Sequence, residues 1–197
     1  MSHFASRISR ACLTCACLLP LSTPVRSDNA YETFTPSAGK GPVVIVIGGQ
    51  TGIESRKPFA RQLADLGYYV ALIDGNDVMN KNRTGGQILR TAIDAALASP
   101  HAGSAKVAVV GFSLGGGGVL AYAMGMNDKV DTAVAYYPAT FWAKDVDATV
   151  GRFKIPLLVL AGVQDNYKDC CLIEKARQIE TAAKAQGKVI ELVSYDR

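Results

Sequence analysis

The chain has 197 residues, of which 49% are hydrophobic and 19% charged, a composition that excludes a disordered protein and suits one domain with a full hydrophobic core. The formal net charge of +4 comes largely from Arg7, Arg10 and Arg26, because the first 27 residues contain no acidic side chain. The rest of the chain carries 18 basic and 17 acidic residues, so its composition indicates no basic surface for nucleic acid.

Residues 1–27 have the three parts of an export signal. A positively charged stretch is followed by a short apolar run at residues 11–22 and then by TPVRS, a possible cleavage region that ends at Ser27. The apolar run is shorter than the roughly 20 residues that a membrane-spanning helix needs. We therefore expect cleavage near Ser27, a mature domain over residues 28–197, and a periplasmic or secreted location. An uncleaved anchor or a mis-assigned start is the alternative.

From residue 40 onward, short apolar runs alternate with segments of helical spacing. Buried parallel strands are apolar throughout, which predicts strands at PVVIVIGG, YVALIDG, KVAVVG, DTAVAYYP, PLLVLAG and VIELVSY. The helical spacing predicts helices at SRKPFARQLADLGYY, GGQILRTAIDAALASP, LGGGGVLAYAMGM and CLIEKARQIETAAKAQG. This alternation predicts a single α/β domain with a doubly wound, mostly parallel sheet. Residues 76–86 are expected to form a surface loop at the active-site edge.

The segment GFSLG places Ser113 between a predicted strand and a predicted helix, which is the context of a nucleophilic serine. The glycines at 111 and 115 allow a sharp turn that holds the hydroxyl at the carboxyl edge of the sheet. The N–H of Leu114 would then point at the oxyanion that forms during ester cleavage. Gly111, Gly115 and Gly117 are also spaced as in the nucleotide-binding turn of short-chain dehydrogenases. That turn follows the first strand and accompanies a Tyr-x-x-x-Lys pair, which this sequence lacks.

Two further loops are expected to complete the site. The glycines of VIVIGGQTG let the chain turn after the first strong strand, so the N–H of Gln50 is the second candidate oxyanion donor. Asp165 follows the strand PLLVLAG and comes after the serine in chain order, as the acid of a Ser-Asp-His triad does. Asp169 is expected to cap the helix that begins at Cys170.

Only two of the five cysteines, Cys170 and Cys171, lie beyond residue 27, and they are adjacent. A pair of neighbours does not form a disulfide framework, so buried apolar thiols at the start of a helix are the favoured interpretation. A vicinal disulfide, which an oxidising compartment permits, is the alternative.

The chain from about Gly41 onward resembles the dienelactone hydrolase family of α/β-hydrolases. The resemblance rests on VIVIGGQTGI, LADLGYYVALID, VAVVGFSLGG, PLLVLAGVQD and AAKAQGKVIELVSY. It implies an α/β-hydrolase fold with Ser113 as nucleophile and Asp165 as the acid. The founding enzyme has cysteine where this chain has serine, so the resemblance implies ester chemistry more than dienelactone opening.

The histidine of the triad is expected after the last strand, where this sequence has VIELVSYDR. Of the two histidines, His3 lies in the export signal and His101 precedes the strand of Ser113, at the opposite edge of the sheet. Three accounts remain open. The favoured one is a C-terminally incomplete fold with a histidine encoded just beyond Arg197, which would leave apolar surface exposed at the final strand. The others are a degenerate homologue without turnover, or a different base such as Tyr137 or Asp165.

The sequence thus predicts a serine hydrolase acting on a small ester or lactone, with its activity in doubt because the base is missing. The alternative is a non-catalytic protein of the same fold that binds a ligand or partner. Four aromatic residues could line its pocket: Tyr136, Tyr137, Phe141 and Trp142. No metal or organic cofactor is implied, because no Cys/His cluster has ligand spacing. Neither nucleic acid nor membrane is an expected partner, apart from export, and the oligomeric state is not indicated.

Overall fold

The computed structural model describes residues 31–82 and 84–196 as a seven-stranded sheet flanked by helices. The strands are β1 Tyr31–Phe34, β2 Gly41–Ile47, β3 Tyr69–Ile73, β4 Ala102–Phe112, β5 Val130–Tyr136, β6 Leu157–Gly162 and β7 Ile190–Tyr195. They lie in the order β1-β3-β2-β4-β5-β6-β7. Only the β1–β3 pairing is antiparallel among these, and every other neighbouring pair is parallel.

Helices fill the crossovers between the parallel strands. They are α1 Lys57–Asp65, α2 Gly75–Val78, α3 Gly85–Leu97, α4 Leu114–Ala121, α5 Val146–Gly151 and α6 Ile173–Ala185. Short 3-10 turns occupy Glu54–Arg56, Ala123–Gly125 and Tyr167–Asp169. Within the described ranges, no helix is both long enough and apolar enough to span a bilayer. The predicted export signal lies outside the described residues.

The predicted fold class is confirmed: six predicted strands form the parallel part of the sheet, and all four predicted helices are present. β1 was not predicted, because its four residues YETF show no apolar run and pair only at the edge. The expected loop at residues 76–86 is wrong in part, since it includes most of α2 and the start of α3. α5 was also missed. Asp74 and Asp145 cap α2 and α5 by accepting bonds from Asn76 N and Ala148 N.

The two faces of the sheet are covered unequally. One face packs against α3, α4, α5 and α6 in a large core, with Leu89, Leu120 and Ile179 among its fully buried side chains. The opposite face packs against α1 in a smaller core over β2, β3 and β4. Beyond α1, apolar side chains on this opposite face of β5, β6 and β7 are only half-buried: Val134, Tyr136, Leu158, Leu160 and Val193. Tyr195 at the end of β7 is 53% exposed.

Candidate active site

The carboxyl ends of the parallel strands bring the predicted site residues to one edge of the sheet. Ser113 directly follows β4, and Asp165 lies three residues after β6. The strand ends are in register, because Phe112 pairs with Tyr136 and Tyr136 pairs with Leu160. With β5 between them, β4 and β6 are about 10 Å apart. This distance leaves room for one further side chain between the Ser113 hydroxyl and the Asp165 carboxylate.

Ser113 adopts the strained backbone of a nucleophile turn, with φ 52° and ψ −112°. Its N–H donates to Tyr136 O at 3.0 Å, and its carbonyl accepts from Gly117 N at 2.9 Å and Ala139 N at 2.8 Å. The hydroxyl makes no capping bond to α4, although Ser113 occupies the N-cap position. The backbone is thus fixed on both sides while the half-buried hydroxyl stays available for chemistry.

The glycine run after Ser113 lets α4 approach its neighbours at backbone distance. A Cβ on Gly115 would fall on the carbonyl oxygens of Ile47 and Gly48. A Cβ on Gly116 would lie 2.9 Å from Pro138 Cα. α4 is therefore buried along Gly115–Leu120, with its N-terminus held against the end of β2.

The two candidate oxyanion donors lie on either side of Ser113. Leu114 is the first residue of α4, so the helix's own hydrogen bonds leave its N–H unused. The loop of Gln50 passes next to the serine, since a Cβ on Gly49 would lie 3.7 Å from Ser113 Cβ. The carbonyl of Gln50 accepts from Asn76 Nδ2 at 3.0 Å, while its side chain is exposed. The direction of the Gln50 N–H stays a prediction.

Asn76 connects the loop of Gln50 to α2 through side-chain hydrogen bonds, which the sequence pattern does not predict. Its side-chain amide joins the Gln50 carbonyl to Asp74 Oδ1, the latter at 2.8 Å. The carboxylate of Asp74 also accepts from Asn76 N, which fixes the first turn of α2. The polar segment Asp-x-Asn directly after a buried strand is the sequence feature that could have indicated this role. The loop of Gln50, which it contacts, is 26 positions away in sequence.

Asp165 is half-buried and faces a cavity of about 510 Å³ at the ends of β5, β6 and β7. Its N–H donates to Gly162 O at 3.3 Å, and its Oδ1 accepts from Tyr167 N at 3.1 Å. The cavity is also lined by Tyr136, Tyr137, Leu160, Ala161, Gly162, Gln164 and Tyr195. One carboxylate oxygen is thus used to order the loop, and the other is available to orient a base.

Arg56 also contacts residues at the carboxyl edge of the sheet, which the sequence pattern does not predict. Its guanidinium lies 4.3 Å from the centre of the Phe112 ring, one residue before the nucleophile. Nη2 donates to Tyr137 Oη at 2.8 Å, while the buried Nε finds no hydrogen-bond partner within the described part of the chain. Tyr137 itself has φ 34°, a left-handed conformation that is rare outside glycine.

His101 lies at the amino edge of the sheet, as predicted. It precedes β4, and its Nδ1 is bonded to Gly39 O at 2.6 Å. Its ring also packs against Tyr69 at a centroid distance of 5.6 Å. β4 is irregular near its start, where Ala102 pairs with Gly41 and Val107 with Val43. Ala102 and Gly111 lie opposite Gly41 and Ile47, six residues apart on β2, so His101 and Ser113 are separated by roughly 20 Å at the rise of a strand. His101 cannot accept the proton of Ser113, and His3 lies outside the described residues.

The segment after Asp165 corrects two predictions. Asp169 does not cap a helix: it sits in the 3-10 turn with φ 53°, and α6 begins only at Ile173. The favoured interpretation of Cys170 and Cys171 as free thiols at a helix start is wrong, because the two form a disulfide before α6. The sequence alone could not decide this, since adjacent cysteines are compatible with both states.

The four aromatic residues proposed to line one pocket are divided between two. Tyr136 and Tyr137 line the cavity of Asp165. Phe141 and Trp142 line a separate cavity of about 490 Å³ beside the end of α4, together with Tyr122 and Arg152. Within residues 31–82 and 84–196, no group of three or more His, Cys, Asp or Glu side chains is arranged to hold a metal ion.

Comparisons with known proteins identify the family and the fold of this chain. The model of the dienelactone hydrolase family matches residues 74–197. Est1E from Butyrivibrio proteoclasticus superposes with a TM-score of 0.68 at 17% identity, over 84% of this chain and 83% of that protein. Thermogutta terrifontis esterase 2 superposes with a TM-score of 0.63 at 14% identity, over 84% and 78%. At such identities the structures show the shared α/β-hydrolase fold, and no curated protein sequence matches. Because the family model covers more than half of the sequence and the fold agrees, the chain belongs to the dienelactone hydrolase family.

Proposed function

We propose that the chain is a serine hydrolase that cleaves a small carboxylic ester or lactone. The observation that carries the proposal is the Ser113 turn, whose strained backbone presents a free hydroxyl beside the N-terminus of α4. Such a turn supplies a nucleophile and an oxyanion donor in one short segment. Membership of the dienelactone hydrolase family supports the same reaction class.

Each residue has a distinct role in the proposed reaction. Ser113 Oγ attacks the carbonyl carbon and loses its proton to a base, and the N–H groups of Leu114 and Gln50 stabilise the resulting oxyanion. The C–O bond to the alcohol then breaks, the base returns the proton to the leaving oxygen, and water hydrolyses the acyl-serine by the same steps. Asp165 holds the base in orientation.

The described residues place no imidazole next to Ser113. His101 is at the wrong edge of the sheet, and neutral serine is a poor nucleophile without a positioned proton acceptor. We therefore expect this 197-residue chain to turn over esters slowly. The cavity of about 510 Å³ beside Asp165 has room for an added imidazole.

Chemical rescue tests the proposal directly. Hydrolysis of p-nitrophenyl acetate is measured with increasing imidazole for the unaltered chain, for Ser113→Ala and for Asp165→Asn. We expect imidazole to accelerate the unaltered chain beyond the background that Ser113→Ala shows, and Asp165→Asn to lose most of that gain. Equal rates for the unaltered chain and Ser113→Ala at every imidazole concentration would contradict the hydrolase.

A non-catalytic binding protein on the same fold is the second candidate. The position of His101, roughly 20 Å from Ser113, favours it, because the described residues bring no imidazole to Ser113. Its pocket would be the cavity lined by Tyr136 and Tyr137. The absence of Ser113-dependent turnover in the rescue experiment would make it the better account.

We also propose that the protein acts outside the cytoplasm, in the periplasm or secreted. The order of arginines, apolar run and small residues in positions 1–27 supports export. Mass analysis of the expressed protein is expected to find an N-terminus near Asp28. An intact Met1 on protein recovered from the cytoplasm would contradict the proposal.

A further inference from the structure

The disulfide between Cys170 and Cys171 lies in the loop that carries Asp165. Cys170 is half-buried and Cys171 is 3% exposed, so Cys170 is the more accessible residue of the pair. Neither sulfur has a role in the proposed hydrolysis. The loop is short: it runs from the end of β6 to Ile173, the first residue of α6.

Hydrogen bonds connect this disulfide to the acid. Cys170 N donates to Tyr167 O at 3.0 Å, and Tyr167 N donates to Asp165 Oδ1 at 3.1 Å. Between them, Lys168 and Asp169 have φ 50° and 53°. Two consecutive non-glycine residues in the left-handed region persist only where the surrounding structure holds them. The Cys170–Cys171 ring directly follows the second of them and restricts the chain there.

A second set of hydrogen bonds connects the disulfide to the nucleophile. The carbonyl of Cys170 accepts from Thr140 N at 2.8 Å and from Thr140 Oγ1 at 3.3 Å. Thr140 is 5% exposed, so its hydroxyl depends on this partner. The preceding residue, Ala139, donates to the carbonyl of Ser113 at 2.8 Å. The Cys170 carbonyl therefore joins the loop of the acid to the turn of the serine.

We propose that the Cys170–Cys171 disulfide is a redox-active site that exchanges with dithiols, and that its reduction loosens the link between the Ser113 turn and the Asp165 loop. A thiolate of the dithiol attacks the accessible Cys170 Sγ, the S–S bond breaks, and Cys171 Sγ leaves and takes a proton. The second thiol of the reagent then attacks the mixed disulfide. The dithiol is oxidised to a disulfide, and the protein gains two electrons and two protons as two thiols.

Reduction removes the ring that restricts the Cys170–Cys171 peptide. Lys168 and Asp169 can then leave the left-handed region, which moves the Cys170 carbonyl away from Thr140. The buried Thr140 then loses the acceptor of both its N–H and its hydroxyl, so the segment that contacts Ser113 also opens. This proposal concerns the loop geometry and does not require ester turnover.

Hydrogen exchange of the full-length chain, followed by mass spectrometry, tests the proposal. Dithiothreitol is added at increasing concentration, and thiols are mapped on the Cys170–Cys171 peptide because three other cysteines precede residue 28. On reduction we expect amides of residues 139–142 and 166–172 to exchange at least about tenfold faster, while those of β2 do not change. Native protein whose disulfide resists dithiothreitol, or unchanged exchange after reduction, would overturn the proposal.

Two variants test whether faster hydrogen exchange results from loss of the disulfide or from a general loss of structure. The double substitution Cys170→Ser and Cys171→Ser is expected to exchange at the reduced rate with or without dithiothreitol. Thr140→Val keeps the disulfide and removes only the hydroxyl, so residues 139–142 should exchange faster in the oxidised protein while 166–172 stay protected. If Ser113-dependent turnover is absent in both redox states while the exchange result holds, the hydrolase fails and the redox site stands.

Discussion

The backbone of Ser113 is held in an energetically unfavourable conformation. A left-handed φ at a residue other than glycine costs of order 1–3 kcal/mol, and here three backbone hydrogen bonds and the packing of α4 hold it. The hydroxyl is left uncommitted by the same arrangement. Its reactivity then depends on a proton acceptor.

We expect a fluorophosphonate probe to label Ser113 slowly in this chain. Loss of the base from a serine triad lowers reactivity by about 10⁴-fold or more, although the oxyanion donors retain some activity. Labelling is measured by intact mass over time, with Ser113→Ala as the control that should remain unlabelled. Labelling as fast as in a complete serine esterase would mean that an unrecognised base serves Ser113.

Arg56 and Tyr137 form a hydrogen-bonded pair, and substituting both residues should destabilise the protein less than substituting Tyr137 alone. Tyr137→Phe leaves Arg56 Nη2 without its acceptor, next to an Nε that is already unpaired, so we expect a loss of about 1–2 kcal/mol in the free energy of unfolding. The double variant Arg56→Met and Tyr137→Phe removes the unpaired donors as well and should recover most of that loss. Urea unfolding measures both. A double variant less stable than Tyr137→Phe would show that the stacking on Phe112 outweighs the unpaired groups.

At the scale of elements, α4 determines the geometry of the site because it packs on backbone atoms along its length. Its glycines have the lowest helix propensity apart from proline, a cost of about 1 kcal/mol each relative to alanine. Close contact with the carbonyls after β2 and with Pro138 makes larger side chains impossible there. Packing therefore overrides helix propensity in this helix.

Alanine substitutions at Gly115 in α4 and at Gly125 in the 3-10 turn after it distinguish the effect of helix propensity from the effect of packing. Gly115→Ala should gain about 1 kcal/mol of helix propensity, yet its methyl falls on the carbonyls of Ile47 and Gly48, so we expect a net loss of about 3 kcal/mol or more. Gly125→Ala is the control, because its Cβ would meet nothing nearer than Arg152 O at 3.8 Å. Thermal unfolding should show a large decrease for the first and almost no change for the second. Equal effects would refute the packing argument.

At the scale of the whole molecule, the sheet is covered on one face throughout and on the other only in part. α1 covers β2, β3 and β4, whereas Val134, Leu158, Leu160 and Val193 remain half-buried beyond it. Contiguous apolar surface of this kind promotes association. The stability of the domain accordingly depends on the large core formed with α3, α4, α5 and α6.

Substitutions of two adjacent leucines on β6 test how unequally the two sheet faces are covered. Leu157 is 3% exposed in the large core, and Leu158 is half-buried on the opposite face. Leu157→Ser should cost about 3–5 kcal/mol through the lost burial and the cavity. Leu158→Ser should cost much less and should reduce binding of a hydrophobic dye. Denaturant unfolding and dye fluorescence check both expectations. Comparable destabilisation by the two substitutions would show that Leu158 is as well covered as Leu157.

The sequence by itself determined the fold class and the positions of the strained turn at Ser113 and of the loop that carries Asp165. These features follow from short-range physics: a buried strand needs an unbroken apolar run, and a strained strand-to-helix turn needs glycine on both sides. Each of these segments follows a predicted strand: Ser113 and Leu114 come after β4, and Asp165 comes after β6. Because parallel strands end at the same edge of the sheet, the local sequence pattern was enough to place them there. The remote position of His101 could be predicted in the same way.

Only the tertiary structure decided which distant groups meet. β1 pairs across the chain with β3, Asn76 reaches the Gln50 carbonyl, and Arg56 reaches Tyr137 from 81 positions away in sequence. The disulfide of Cys170 and Cys171, the late start of α6 and the unequal cover of the two sheet faces are likewise absent from any local pattern. Such contacts depend on how whole elements pack, because the residues involved have no sequence proximity through which a local preference could act.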